Sequence, residues 1–87
     1  MLLKIAHLEV PVIEKPLGPD LMGEYDNGTA TIFINDDLTT QLHKTTLFHE
    51  SLHAISCIYG LELSENQVLI LESAVLALIR DNPNVFN

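Results

Sequence analysis

Two histidines four residues apart, His49 and His53, with Glu50 directly after the first, are the residues of this chain best suited to chemistry. Four residues is about one helical turn, so both imidazoles leave the same face and can share one metal ion. Glu50 is rotated about a third of a turn away. It is turned off the ligand direction but can take a proton from a water that the ion activates. The pattern is H-E-x-x-H, and its chemistry needs a helix. Thr39 to Tyr59 meets that need, because no Pro or Gly interrupts it. Leu42, Thr45, Thr46, Phe48, Leu52, Ile55, Ile58 and Tyr59 supply its apolar or tolerant positions. Thr39 is the expected cap. Gly60 is the expected stop, since glycine readily takes the left-handed conformation that ends a helix.

Two histidines leave a catalytic zinc site one protein ligand short, because such sites take three and keep a position for water. A second helix is announced by a Ser64/Gln67 capping box and a Leu63/Val68 staple, with Arg80 in its last turn and Pro83 beyond. From Val68 to Ile79 only Glu72 and Ser73 are polar. A carboxylate among Leu69, Leu71, Val75 and Leu76 is costly to bury without a cation, which makes Glu72 the strongest candidate for the third ligand. Glu65 is the runner-up. It lies one heptad earlier on a similar face, but in a first helical turn, where an acid complements the helix dipole. Cys57 follows His53 by four, yet residues 49, 53 and 57 form a row about 12 Å long that cannot converge on one ion. It reads as a small buried apolar residue. His7 reads as a loop residue and His43 as a solvated one.

The elements that must position these groups are short. Leu2 to Ala6 and Val10 to Ile13 read as extended segments, with Pro11 marking a sheet edge. Lys15 to Asp20 is a loop. Leu21 to Tyr25 and Thr29 to Ile34 form a β-hairpin about Asp26-Asn27-Gly28, with Asn35-Asp36-Asp37 closing the second strand. The expected fold is α+β: a small antiparallel sheet or hairpin packed on the H-E-x-x-H helix and on a second, glutamate-bearing helix. Residues 1–87 are expected to form one domain.

The net charge of −8 argues against nucleic acid as a partner, since phosphate contacts need Lys and Arg and only Lys4, Lys15, Lys44 and Arg80 are present. One cysteine excludes an intramolecular disulfide framework. The longest apolar run, Val68 to Ile79, is broken by Glu72 and is too short to span a bilayer, so no membrane partner is expected. No secretory segment opens the chain, and the expected location is cytoplasmic. Hydrophobic residues make up 47% of the chain and charged ones 18%. With a second helix apolar nearly all round, that balance predicts a homo-oligomer, unless the helix is enclosed within one chain.

Thr31-Ile32-Phe33-Ile34-Asn35-Asp36 followed by Thr46-Leu47-Phe48-His49-Glu50-Ser51-Leu52-His53-Ala54-Ile55 resembles the ImmA/IrrE-like zinc metallopeptidases. The likeness is to their short forms encoded by phages and prophages in bacterial hosts. Gly60-Leu61-Glu62-Leu63-Ser64 and Arg80-Asp81-Asn82-Pro83 extend the likeness, which spans roughly Gly23 to Pro83. It implies a minimal zincin of gluzincin-like type, with a helix after the H-E-x-x-H helix bringing a glutamate to the metal. The expected activity is hydrolysis of a peptide or protein substrate. Zinc would be held by His49, His53 and Glu72, and Glu50 would serve as general base. A substrate strand would add to a sheet edge, for which Thr29 to Ile34 is the expected strand. The alternative is a metal-stabilised phage structural or regulatory protein without turnover.

Overall fold

The computed structural model describes residues 1–86. β1 (Leu2–Ile5) and β2 (Leu8–Lys15) form an antiparallel hairpin that turns at Ala6-His7, where Ala6 takes a left-handed φ of 57°. β3 (Gly23–Asp26) and β4 (Thr31–Asn35) form the expected second hairpin, but across a four-residue loop whose left-handed residue is Ala30, at φ 51°, not Asn27 or Gly28. The Asp26 carboxylate accepts the Gly28 N–H at 2.9 Å and so shapes the turn.

The two hairpins join into one four-stranded sheet of order β1-β2-β4-β3. The join is parallel, with Val12 beside Ile32 and Ile13 beside Phe33. The sheet is therefore mixed, which corrects the expected antiparallel one. The segment 16–22 carries the chain past one strand position, and β4 returns into the gap. Asn35 fixes that segment by donating from Nδ2 to the carbonyls of Gly18, at 2.8 Å, and Leu21, at 2.9 Å. β4 is consequently interior, and the edges are β1 and β3. The expectation of Thr29 to Ile34 as an edge is overturned for a reason visible in its composition. Thr-Ile-Phe-Ile-Asn carries no charge, and its Ile32 and Ile34 are fully buried. β2 is also interior, not the edge that Pro11 predicts, and Pro11 sits where β2 changes partner, between its pairing with β1 and its pairing with β4. Its missing N–H costs no ladder bond there.

One face of the sheet carries Ile5, Val10, Val12, Ile32 and Ile34, and α1 (Thr40–Tyr59) packs on it through Ala54, Leu47, Ile55 and Ile58. The Thr39 hydroxyl accepts the Leu42 N–H at 3.2 Å, and Gly60 closes the helix at φ 68°. The buried stripe of α1 is not its large apolar set but Thr46, Glu50 and Ala54, spaced by four, with Ser56. Leu42 and Tyr59 are exposed. A thin stripe lets the sheet come close, and Gly23 on β3 uses that space. A Cβ at Gly23 would lie 2.6 Å from Thr46 Cγ2 and 3.1 Å from Glu50 Cγ.

α2 (Glu65–Asp81) folds back along α1, and α3 (Pro83–Phe86) follows it. The capping box is formed in both directions: Ser64 accepts from Gln67 N–H, and Gln67 accepts from Ser64 N–H. Within the chain α2 is not enclosed. Val68 is its only buried residue, while Leu69, Ile70, Leu71, Leu78 and Ile79 are exposed, Ile70 by 59%.

The β3–α1 approach gives a direct test. Gly23→Ala should cost about 1–3 kcal/mol by overpacking against Thr46. Thr46→Ser removes the offending methyl, so the double variant should recover stability relative to Gly23→Ala alone. Denaturant unfolding of the three variants checks this. A Gly23→Ala protein as stable as wild type would contradict it.

Candidate metal centre

The H-E-x-x-H helix is formed as its spacing requires. Glu50 lies on the buried stripe against β3 and, with His49 and His53, lines the groove between α1 and α2. The two rings meet edge to face with centroids 4.9 Å apart. Their Nε2 atoms converge on one group of α2: Glu65 places Oε1 2.8 Å from His49 Nε2 and Oε2 2.8 Å from His53 Nε2.

His49, His53 and Glu65 could hold a metal ion, since each offers one ligand atom and the three lie within 4.8 Å of one another. Tetrahedral coordination at about 2.0–2.1 Å separates neighbouring ligand atoms by roughly 3.3 Å. The present contacts are about half an ångström shorter. The Glu65 side chain is 62% exposed and sits in a first helical turn, so it can give by that amount. Two nitrogens and one carboxylate oxygen are also the donor set that zinc accepts.

Glu72, expected as the third ligand, lies elsewhere. Its Oε2 is 3.5 Å from Nδ1 of His49, on the ring nitrogen opposite the one that meets Glu65. Its side chain is 19% exposed, and the group that could hold a metal contains Glu65 in its place. The reason is the direction of α2. Gly60 to Ser64 turn the chain so sharply that the first turn of α2 meets the Nε2 side of the histidine pair, while its middle reaches only Nδ1 of His49. Ser56 holds that turn. Its carbonyl accepts Leu61 N–H at 2.8 Å and its hydroxyl accepts Leu63 N–H at 2.8 Å. Nothing in the sequence singles out Ser56 except its polarity at a helix end.

Cys57 is exposed rather than buried and lies outside the ligand group. His43 is bonded to Glu14 at 3.0 Å, tying α1 to β2 away from the site. The groove has a volume of about 490 Å³ and runs from His49, Glu50 and His53 past Leu69 to Met22 and Gly23 on the β3 side. Burial pushes the Glu50 carboxyl above the ordinary carboxylate range. His53 and His49 pull it back, while Glu65 and Glu24 push it further up.

This chain matches no family model, no curated protein and no solved structure. Among the described residues no helix is long and apolar enough to cross a membrane.

The raised Glu50 carboxyl has a consequence for stability. The folded chain holds that proton more tightly than the unfolded chain. Glu50 therefore favours folding below the ordinary carboxyl range, and the contribution is lost as pH rises through the raised value. Glu50→Gln, uncharged at every pH, should stabilise the metal-free protein at pH 7. The advantage should shrink towards pH 4. Urea unfolding in the presence of chelator at both pH values checks this, and an equal difference at both would contradict it.

Proposed function

We propose that this protein is a zinc metallopeptidase of the ImmA/IrrE-like kind that hydrolyses peptide bonds. The observation that carries the reading is the convergence of both Nε2 atoms of the H-E-x-x-H pair on the Glu65 carboxylate, at 2.8 Å each. His49, His53 and Glu65 would hold the zinc. Bound there, it would polarise the scissile carbonyl and lower the pKa of a water.

Glu50 adjoins the pair on the side facing β3, with its carboxyl pushed up by burial. A carboxyl with a raised pKa is suited to take a proton from the attacking water and to hand it to the leaving amine. Its own partly apolar surroundings supply that tuning, and the thin stripe of α1 supplies those surroundings.

The substrate would add as a strand to the edge of the sheet. That edge is β3 rather than β4, which lies inside. Asn35 donates its N–H to the Met22 carbonyl at 2.8 Å, so these two residues form a bonded pair. The alternation of an antiparallel ladder then turns the N–H and C=O of Gly23 and Tyr25 away from β4. Those groups are available to an extended peptide, and Gly23 lines the groove that holds the histidines.

The apolar outward face of α2 supports a homo-oligomer as the working form. Ile70, Leu78 and Ile79 would be covered by a second copy. Sedimentation equilibrium should report a species larger than the 9.7 kDa chain; monomer alone at high concentration would remove this part of the proposal.

Protein purified without a metal-affinity step should carry about one zinc per chain and cleave an unstructured protein such as casein. Glu50→Gln should keep the metal and the fold and lose at least about 100-fold of the rate, the usual contribution of a positioned acid–base group. Wild-type protein with bound zinc and no hydrolysis of any peptide pool would support a metal-stabilised, non-catalytic role instead.

A further inference from the structure

The proposed metal site leaves Glu72 without a role. It lies two turns into α2, on the side facing α1, in the apolar stretch between Val68 and Ile79, with its side chain 19% exposed. A carboxylate so placed needs a polar partner, and its contact is Nδ1 of His49 at 3.5 Å. The Nε2 atom of the same ring faces Glu65 at 2.8 Å. The two nitrogens of an imidazole point in diverging directions, so one ion cannot take both Nε2 of His49 and a carboxylate seated on its Nδ1. Glu65 and Glu72 therefore do different things to the same histidine.

We infer that Glu72 is a positioning residue: its carboxylate accepts Nδ1–H of His49, fixing the tautomer and the ring plane so that Nε2 is presented as a ligand. The inference rests on the metal site proposed above. A carboxylate behind a ligating imidazole makes the ring a stronger donor and removes its rotational freedom. The distance of 3.5 Å is long for a hydrogen bond. A rotation of either side chain within its rotamer well would shorten it, and the seven-residue spacing from Glu65 keeps both acids on the α1-facing side of α2. Among the described residues no carboxylate meets Nδ1 of His53, so the two ligands are unequal and His49 is the one whose orientation is fixed.

The test separates a ligand from a residue that acts through one. Wild type, Glu65→Ala, Glu72→Ala and Glu72→Gln are loaded with cobalt(II), and zinc affinity is measured by chelator competition. Glu72→Ala should weaken zinc roughly 10–100-fold and leave the position and intensity of the tetrahedral cobalt bands unchanged. Glu72→Gln, whose amide oxygen still accepts Nδ1–H, should recover most of the affinity. Glu65→Ala should lose affinity further and change the cobalt spectrum. In ¹⁵N-detected spectra of the zinc-loaded protein, the His49 Nδ1–H signal should be slow to exchange in wild type and Glu72→Gln and fast in Glu72→Ala. Glu72→Ala with altered cobalt bands would make Glu72 a ligand and overturn the inference, as would unchanged affinity. Wild-type protein that binds neither metal would instead overturn the metal site on which it rests.

Discussion

A carboxylate on one helix has to meet two imidazoles on another, and the rest of this small structure is fitted to that meeting. Glu65 can span His49 and His53 only if α2 starts beside the middle of α1 and runs back along it. The five-residue connection from Gly60 to Ser64 sets that start. Its left-handed glycine ends α1, the two bonds to Ser56 fold the turn inward, and the capping box fixes the first turn of α2. Val68, wholly buried one turn further on, seats the helix. Together these contacts place Glu65, whereas the spacing on α1 alone places the histidine pair.

A second constraint works on the adjoining face of α1. The buried stripe of Thr46, Glu50 and Ala54 is thin, and Gly23 has no side chain to oppose it. The close packing does two things at once. It shields Glu50 enough to raise its carboxyl, and it brings the free edge of β3 alongside the histidines. Fold and chemistry are coupled through atoms that are absent. A larger residue at 23, 46 or 54 would push the sheet edge and the acid apart.

Much of this could be read from residue types. The helix over Thr40–Tyr59, its cap and its stop follow from Thr39, Gly60 and an uninterrupted pattern between them. The capping box predicts the start of α2 to the residue. The turn at Asp26-Asn27-Gly28 predicts the hairpin. The parallel join was less legible, because it depends on which strand fills a gap left by the 16–22 segment, and no local pattern encodes that. The uncharged run of β4 was the available signal that it belongs inside. The choice between Glu65 and Glu72 turned on the angle at which α2 returns. Burial cost favours Glu72 as the acid that needs a partner, and dipole complementarity gives Glu65 a separate reason to stand at a helix start. The connection at Ser56 outweighs both, because it decides which turn of α2 arrives at the imidazoles. Solvation arguments find acids that need a partner; they do not say which partner the chain geometry delivers.

The most direct measurement is a crystal structure of the protein grown with zinc, with diffraction recorded on both sides of the zinc absorption edge. One anomalous peak per chain should lie about 2.0–2.2 Å from Nε2 of His49, Nε2 of His53 and an oxygen of Glu65. A peak bonded to Glu72 with Glu65 in solvent, or no peak between the two helices, would contradict the centre described for this fold.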